Sequence, residues 1–311
     1  MTTQVAAVPR VIAVPEAATR TAGRRGMSKS RQLILQLACI FIAATVLFPI
    51  IWIVAMSLDP RNISRPDSLI PPGASFDAYA KVIAKPTLND ISFLRIAFNS
   101  VFIAIIISLA SVTIGALAAY AFSRLHFRGR EFLMIAVLAV LMLPAVATLA
   151  PLFVSLNKIT LGTFNFRASL FGVALAVTSS QLPFAIWNIK GYLDTIPREL
   201  EEAASIDGAS RFQTFIKVIL PLATPVLAVT AFFGFIAGWT EFYFSSVFLT
   251  GNTDLTTLAM ALNGMVGQYA ASTPWSQFAA FSVLVALPVS VVYLFLQRYI
   301  ISGLTVGGVK G

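Results

Sequence analysis

The chain has 311 residues, 58% of them hydrophobic and only 11% charged, and its mean hydropathy is +0.84. Repeated uncharged runs longer than about 20 residues exclude a single soluble domain and predict membrane helices. The net charge of +9 does not point to nucleic acid, because Lys and Arg are dispersed through loops and a tail with no basic patch interleaved with aromatics; a membrane accounts for the sign.

In chain order, residues 1–32 are polar and irregular, with six Lys or Arg and almost no acids, and predict a disordered cytoplasmic tail. Leu33–Leu58 is an uncharged run of 26 residues, too long for the apolar core of a secretory signal, and is expected to remain as the first span. Cys39, the only cysteine, is expected as a buried thiol within that span; its solitude excludes an intramolecular disulfide and a cysteine-cluster metal site. Residues 59–95 form a polar, Pro-containing extracytoplasmic loop. The remaining spans are expected at about 97–122, 132–156, 168–189, 222–249 and 277–298, within a permease-like region covering 96–298, and residues 299–311 form a second tail. The expected fold is therefore all-α, a polytopic membrane protein with six transmembrane helices. With both termini inside, the inner segments carry 15 Lys and Arg against 7 outside, which fixes the orientation by the positive-inside rule.

Residues 197–221, PRELEEAASIDGASRFQTFIKVILP, depart from the composition around them. Pro197 suits a first helical turn, and Glu199, Glu201 and Glu202 sit well near a positive helix start. Leu200, Ala203, Ala204 and Asp207 recur at spacings of three and four, and Gly208 offers a left-handed stop. Ser210 and Gln213 form a capping-box pair that starts a second helix running through Phe215 and Val218 to Pro221. The small apolar strip edged by Glu201, Glu202, Asp207 and Arg211 suits docking into a groove of another protein, against the plainer alternative of a solvated loop between spans.

Prolines at 49, 144, 151, 183 and 288 fall within apolar runs and either kink the spans or merely mark irregular packing. The small residues from Ser111 to Ala116 and from Gly234 to Gly238 permit close helix contacts. Glu241, beside Trp239 in the fifth span, is the one acid inside a membrane run; it is expected on a translocation path, or else shallow enough to reach headgroup water. In the outer loop 250–276, Leu255, Leu258, Leu262, Met265 and Tyr269 predict an amphipathic helix, lying in the lipid interface or meeting a soluble partner. Tyr269, Ala270, Ala271, Ser272, Thr273, Pro274 and Trp275 are expected at the tip of that contact.

Glu202-Ala203-Ala204, Gly208 after three intervening residues, then Val218, Leu220 and Pro221 resemble the EAA loop of ABC-importer permeases, with Val where that pattern often has Ile. Ala119-Tyr120-Ala121-Phe122-Ser123-Arg124, Leu143-Pro144-Ala145, Trp187-Asn188-Ile189-Lys190-Gly191-Tyr192 and the ending from Gln297 to Gly311 are similar to the sugar-importing, maltose/maltodextrin branch of that family. The amino-terminal tail lies outside the match.

The resemblance implies a type I ABC importer permease fold in the bacterial cytoplasmic membrane, with a second, longer permease, two ATPase subunits and an extracytoplasmic sugar-binding protein as partners. It implies that Glu201, Glu202, Ala203, Ala204, Asp207, Gly208 and Arg211 dock the ATPase. It further implies that the 250–276 loop probes the binding protein and that the tail bearing Gly307, Gly308 and Lys310 reaches the ATPase interface. No cofactor is expected on this chain: it contains no Gly-Lys pair and hence no Walker A loop, so ATP and Mg belong to the partner. A membrane enzyme would need clustered His, Asp or Glu, whereas His126 is the only histidine and lies in a basic turn. A secondary transporter would show paired repeats and several intramembrane polar groups, which this sequence lacks.

Overall fold

The computed structural model describes residues 28–162, 164–267 and 273–307. The expectations for the N-terminal tail up to residue 27, for Tyr269, Ala270, Ala271 and Ser272, and for Gly308 and Lys310 lie outside the described residues. The chain divides at Pro49 into two units, Met1–Pro49 and Ile50–Gly311. Helix α1 (Lys29–Ser57) carries Pro49 within it and exposes Leu33, Ile40, Phe41 and Ile42, as a lipid-facing span requires. Cys39 is exposed as well, not buried as expected. Its neighbours on this helix are equally exposed, because the most apolar stretch of α1 buries nothing.

From Ile50 onward the fold is a helical bundle built on α3 (Phe93–Arg124), which packs along both α6 (Leu170–Leu193) and α10 (Thr224–Trp239). Ser92 starts α3 by accepting from the Arg95 N–H, and Ser169 does the same for α6 through Gly172. Small residues let α10 approach α3: at Gly234 and Gly238 the facing backbone of Ser108 and Ala104 occupies the space that a side chain would need. Ser108 Oγ donates to the Ala231 carbonyl at 2.8 Å, using a polar side chain to join two apolar helices.

The third span is not the continuous helix expected at 132–156. Helix α4 (Arg130–Leu141) and α5 (Leu149–Asn157) are separated by a short 3₁₀ turn and bent by 100°. Pro144 stands at the break, where it supplies no N–H and disfavours helical geometry at Leu143. Pro183, by contrast, is carried inside the unbroken α6, so a proline alone does not decide where a span breaks. Beyond α5 a two-stranded hairpin, β1 (Thr160–Leu161) paired with β2 (Phe164–Asn165), turns the chain into α6. Among the described residues, five helical stretches are long and apolar enough to cross a membrane, or six counting the bent pair as one span.

The polar stretch 59–95 folds more than its polarity suggested. Helix α2 (Asp77–Ala84) buries Ala78 and Val82. The Asp59 side chain, fully buried, is bound by Arg61, which also bridges to Asp67 at 2.7 Å. Hydrogen bonding from Arg61 is the main cause that holds Asp59 below its ordinary carboxyl value, outweighing the opposing effect of burial. Ser276, near the start of the last helix, donates through Oγ to the Asp59 carbonyl and through its N–H to Asn62.

Candidate docking site

The polar stretch forms the expected helix, elbow and second helix, with two local differences. Helix α7 (Glu199–Ile206) starts after Arg198, whose carbonyl accepts from Glu201 and Glu202, so Pro197 precedes the helix instead of opening it. Gly208 takes φ +82° and ends α7, the left-handed conformation that glycine adopts without steric cost. Ser210 and Gln213 then form a complete capping box at the start of α8 (Arg211–Thr214). The second helix is not regular to its end: it widens into a π-helical segment (Phe215–Ile219) before α9 (Leu220–Leu222). Pro221 brings no N–H to the carbonyl four residues earlier, and the widening just ahead of it absorbs the loss.

The acidic residues do not share one face. Glu202, Ala203, Asp207, Gly208 and Arg211 are exposed, with Ala204 half-buried behind them. Ile206 is 86% exposed and Phe212 68%, so large apolar side chains stand among the charges. Neither was singled out from sequence; an isoleucine and a phenylalanine flanking an elbow glycine were the available signal. Glu201, expected on the same face, turns inward and pairs with Arg124 at the end of α3, with side-chain exposures of 18% and 7%. Tyr120 donates to the other Glu201 oxygen at 3.4 Å.

Around this pair the ends of three elements meet. Arg124 also donates to the Ile196 carbonyl at 2.9 Å, and Ser123 donates to Asp194 at 2.6 Å. Lys190 binds the second Asp194 oxygen at 2.6 Å. Burial alone would raise Asp194, but the hydrogen bonds from Lys190 and Ser123 and the nearby Arg124 charge together hold its carboxyl below the ordinary value. A cleft of about 680 Å³ opens beside them, lined by Arg124, His126, Arg198, Glu201, Glu202 and Arg211 among others. Beneath, Ala116, Ala119, Ile189, Leu193, Phe215 and Ile219 pack the apolar layer that joins α3, α6 and the π-helical segment at this end of the bundle.

The residues expected on a translocation path have local tasks in this fold. The fifth span breaks between α10 and α11 (Tyr243–Phe248), and Glu241 stands in the break. Its carboxylate accepts from the N–H groups of Phe244 and Ser245 and from the Ser245 hydroxyl, at 2.9, 2.8 and 2.6 Å. An acid in an apolar run is thereby fully hydrogen-bonded, and it satisfies backbone donors freed by the break. Trp239 is 2% exposed, donates to the Val285 carbonyl at 3.0 Å and stacks on Phe235.

Within residues 250–276, α12 (Leu258–Gly264) is shorter than the amphipathic helix expected, and Leu258 and Ala261 pack into the core. Thr257 caps it, and Ser100 of α3 accepts the Leu258 N–H, so the segment is fastened to the bundle. Thr273 is buried and accepts from the Gly267 N–H at 3.0 Å, and Pro274 and Trp275 lead from it into the last helix. Trp275 opens α13 (Trp275–Gly307), whose last residue is Gly307.

A helical membrane bundle that projects a short charged helix, ended by a left-handed glycine, from between two of its spans defines a polytopic permease. Residues 111–306 match the family described as binding-protein-dependent transport system inner membrane component, and the chain belongs to that family. It is 36% identical over 285 residues to the trehalose/maltose transport system permease protein MalG of Thermococcus litoralis, covering 90% of this chain and 98% of that protein. It is 34% identical to the maltose/maltodextrin permease MalG of Photorhabdus laumondii (91% and 97% covered) and to the galactooligosaccharides permease GanQ of Bacillus subtilis (90% and 96%). Among solved structures, a chain of a bacterial ABC transporter involved in alginate import superimposes with a TM-score of 0.71 at 24% identity, covering 88% of this chain and 99% of that one.

Proposed function

We propose that this chain is one of two permease subunits of an ATP-driven importer that carries maltose or maltodextrins across the cytoplasmic membrane, with both termini and α7 on the cytoplasmic side. The observation that carries the reading is the exposed face of α7 and α8, where Ala203, Ile206 and Phe212 stand among Glu202, Asp207 and Arg211. Apolar anchors ringed by charge are the composition of a protein interface. ATP and Mg are held by a separate ATPase, two copies of which receive this elbow and that of a longer permease partner. The outer loop 250–276 meets a sugar-loaded binding protein, the path runs past Trp239 and Glu241, and the tail carrying Gly307, Gly308 and Lys310 reaches the ATPase interface.

Support for the sugar comes from relatives whose names specify maltose, maltodextrin and trehalose. A second reading, import of trehalose or another oligosaccharide, is favoured by the equal likeness to a galactooligosaccharide permease. Uptake by cells lacking this chain, compared across maltose, maltodextrins, trehalose and galacto-oligosaccharides, separates the two. Loss of maltose and maltodextrin uptake alone supports the first reading, and loss of another sugar instead replaces it. Failure of the tagged chain to co-purify with an ATPase overturns both.

A further inference from the structure

We propose that the buried Arg124–Glu201 pair is a positioning strut, which makes the docking helix α7 and the second span α3 move as one body; the proposal rests on the reading of α7 as the ATPase-docking helix. Helix α7 buries none of its own residues, so apolar packing does not set its angle. What ties it to the membrane is charge. Arg124 is the last residue of α3, and its guanidinium forms an ion pair with Glu201 on α7 and donates a hydrogen bond to the carbonyl of Ile196, just beyond α6. One planar group therefore fixes the relative position of three chain segments, a task its fork geometry suits better than the point charge of lysine.

The surroundings sharpen the assignment. Tyr120, one turn before Arg124, reaches the second oxygen of Glu201 while its ring lies 4.7 Å from that of Phe215 in the π-helical segment. Arg198, immediately before α7, donates to the Ser123 carbonyl at 3.4 Å. Ser123 in turn binds Asp194, itself held by Lys190 from the end of α6. An ion pair this buried is a poor source of net stability compared with apolar packing, yet removing one partner leaves a charge stranded. Its advantage is direction: displacement of α7 by a docked ATPase pulls on α3, the helix against which α6 and α10 pack. Glu202, one residue on and exposed, is left free for the partner.

The test uses the complete importer, with its second permease, ATPase and binding protein, reconstituted in nanodiscs and proteoliposomes. Arg124→Gln, Glu201→Gln, Arg124→Lys and the exchanged pair Arg124→Glu/Glu201→Arg are compared for ATPase co-purification, for stimulation of ATP hydrolysis by sugar-loaded binding protein, and for ATP used per sugar imported. The expected result is that both Gln variants retain the ATPase but lose about tenfold in stimulation and use more ATP per sugar. Arg124→Lys falls between, and the exchanged pair recovers at least about a third of the stimulation. Undiminished stimulation in either Gln variant overturns the strut, as does an exchanged pair no better than Arg124→Gln. Loss of the ATPase from Glu201→Gln but not from Arg124→Gln assigns Glu201 to the ATPase contact and also overturns it. A wild-type chain that recruits no ATPase at all instead overturns the reading of α7 beneath it.

Discussion

Gly238 lies so close to α3 that a β-carbon on it would stand 2.5 Å from the Ala104 Cα and 2.9 Å from its nitrogen, both backbone atoms that no rotamer change can move. Gly238→Val therefore has to push α10 away from α3 and undo a helix contact on which the bundle depends. Overpacking of this kind costs about 1–3 kcal/mol where neighbours can adjust. Thermal unfolding in detergent should show a lower midpoint for Gly238→Val, with Gly238→Ala intermediate. Two variants as stable as wild type would mean that α10 and α3 are free to separate.

Gly208 poses the opposite problem, because nothing lies within 4 Å of where its β-carbon would be. Only the backbone resists substitution there, at φ +82°. A left-handed conformation costs an ordinary residue about 1–2 kcal/mol, and asparagine is among the few side chains that tolerate it. Gly208→Leu should insert into the membrane normally yet lose most sugar uptake, while Gly208→Asn should keep most of it. Equal uptake by both would remove the elbow's conformation as the cause.

Hydropathy alone located the spans because burying them in lipid demands long apolar runs, and the Gly208 elbow and the Ser210–Gln213 box were legible because local chemistry dictates them. Two features were not. The breaks at Pro144 and at Thr240–Phe242 depend on what satisfies the freed backbone, and at the second break that is the carboxylate of Glu241, which composition marked only as an isolated charge. Glu201 and Glu202 are adjacent and chemically identical, yet about 100° apart around a helix. Which of them meets Arg124, some 80 residues earlier in sequence, is decided by tertiary packing.

Asp59 gives the segment that follows α1 a pH dependence. Arg61 holds its carboxyl below the ordinary value of 3.8, so the folded state binds the proton less readily than the unfolded chain. The stabilisation is complete above that ordinary value and is lost as pH falls through the lower folded one. At pH 7, Asp59→Asn should lower the unfolding midpoint by roughly 2–6 °C. The gap from wild type should close only as pH falls below 3.8 and through the lower folded-state value. A gap that persists there would assign the loss to packing and not to charge.

Glu241 caps α11 from within a broken span, with two backbone N–H groups depending on its oxygens. Leaving a buried donor unsatisfied costs about 1–3 kcal/mol each. Glu241→Gln keeps a carbonyl oxygen for one of them, and Glu241→Ala keeps neither. Folded yield should fall in the order wild type, Gln, Ala. If instead both variants fold fully and both lose transport, the carboxylate's charge acts on the translocated sugar and its capping role is incidental.

Glu202 remains exposed on α7 after Glu201 has turned to Arg124, with Ala203 and Ile206 beside it and Asp207 beyond. Its expected role is electrostatic: on docking it becomes desolvated against a cation of the ATPase. Removing one partner of such a contact costs about 2–5 kcal/mol in binding, partly because the opposite charge is left unpaired. Glu202→Lys should therefore weaken association more than Glu202→Ala, since it places repulsion where attraction had been. An Arg→Glu change at the facing position of the ATPase should restore part of the coupling to Glu202→Lys and none to Glu202→Ala. Misfolding cannot produce that pattern, because a partner's charge reversal does not refold this chain. If the two substitutions behave alike, no reversal rescues either, and the complex still assembles at normal yield, docking rests on Ala203, Ile206 and Phe212 and the carboxylate serves only the positive start of its own helix.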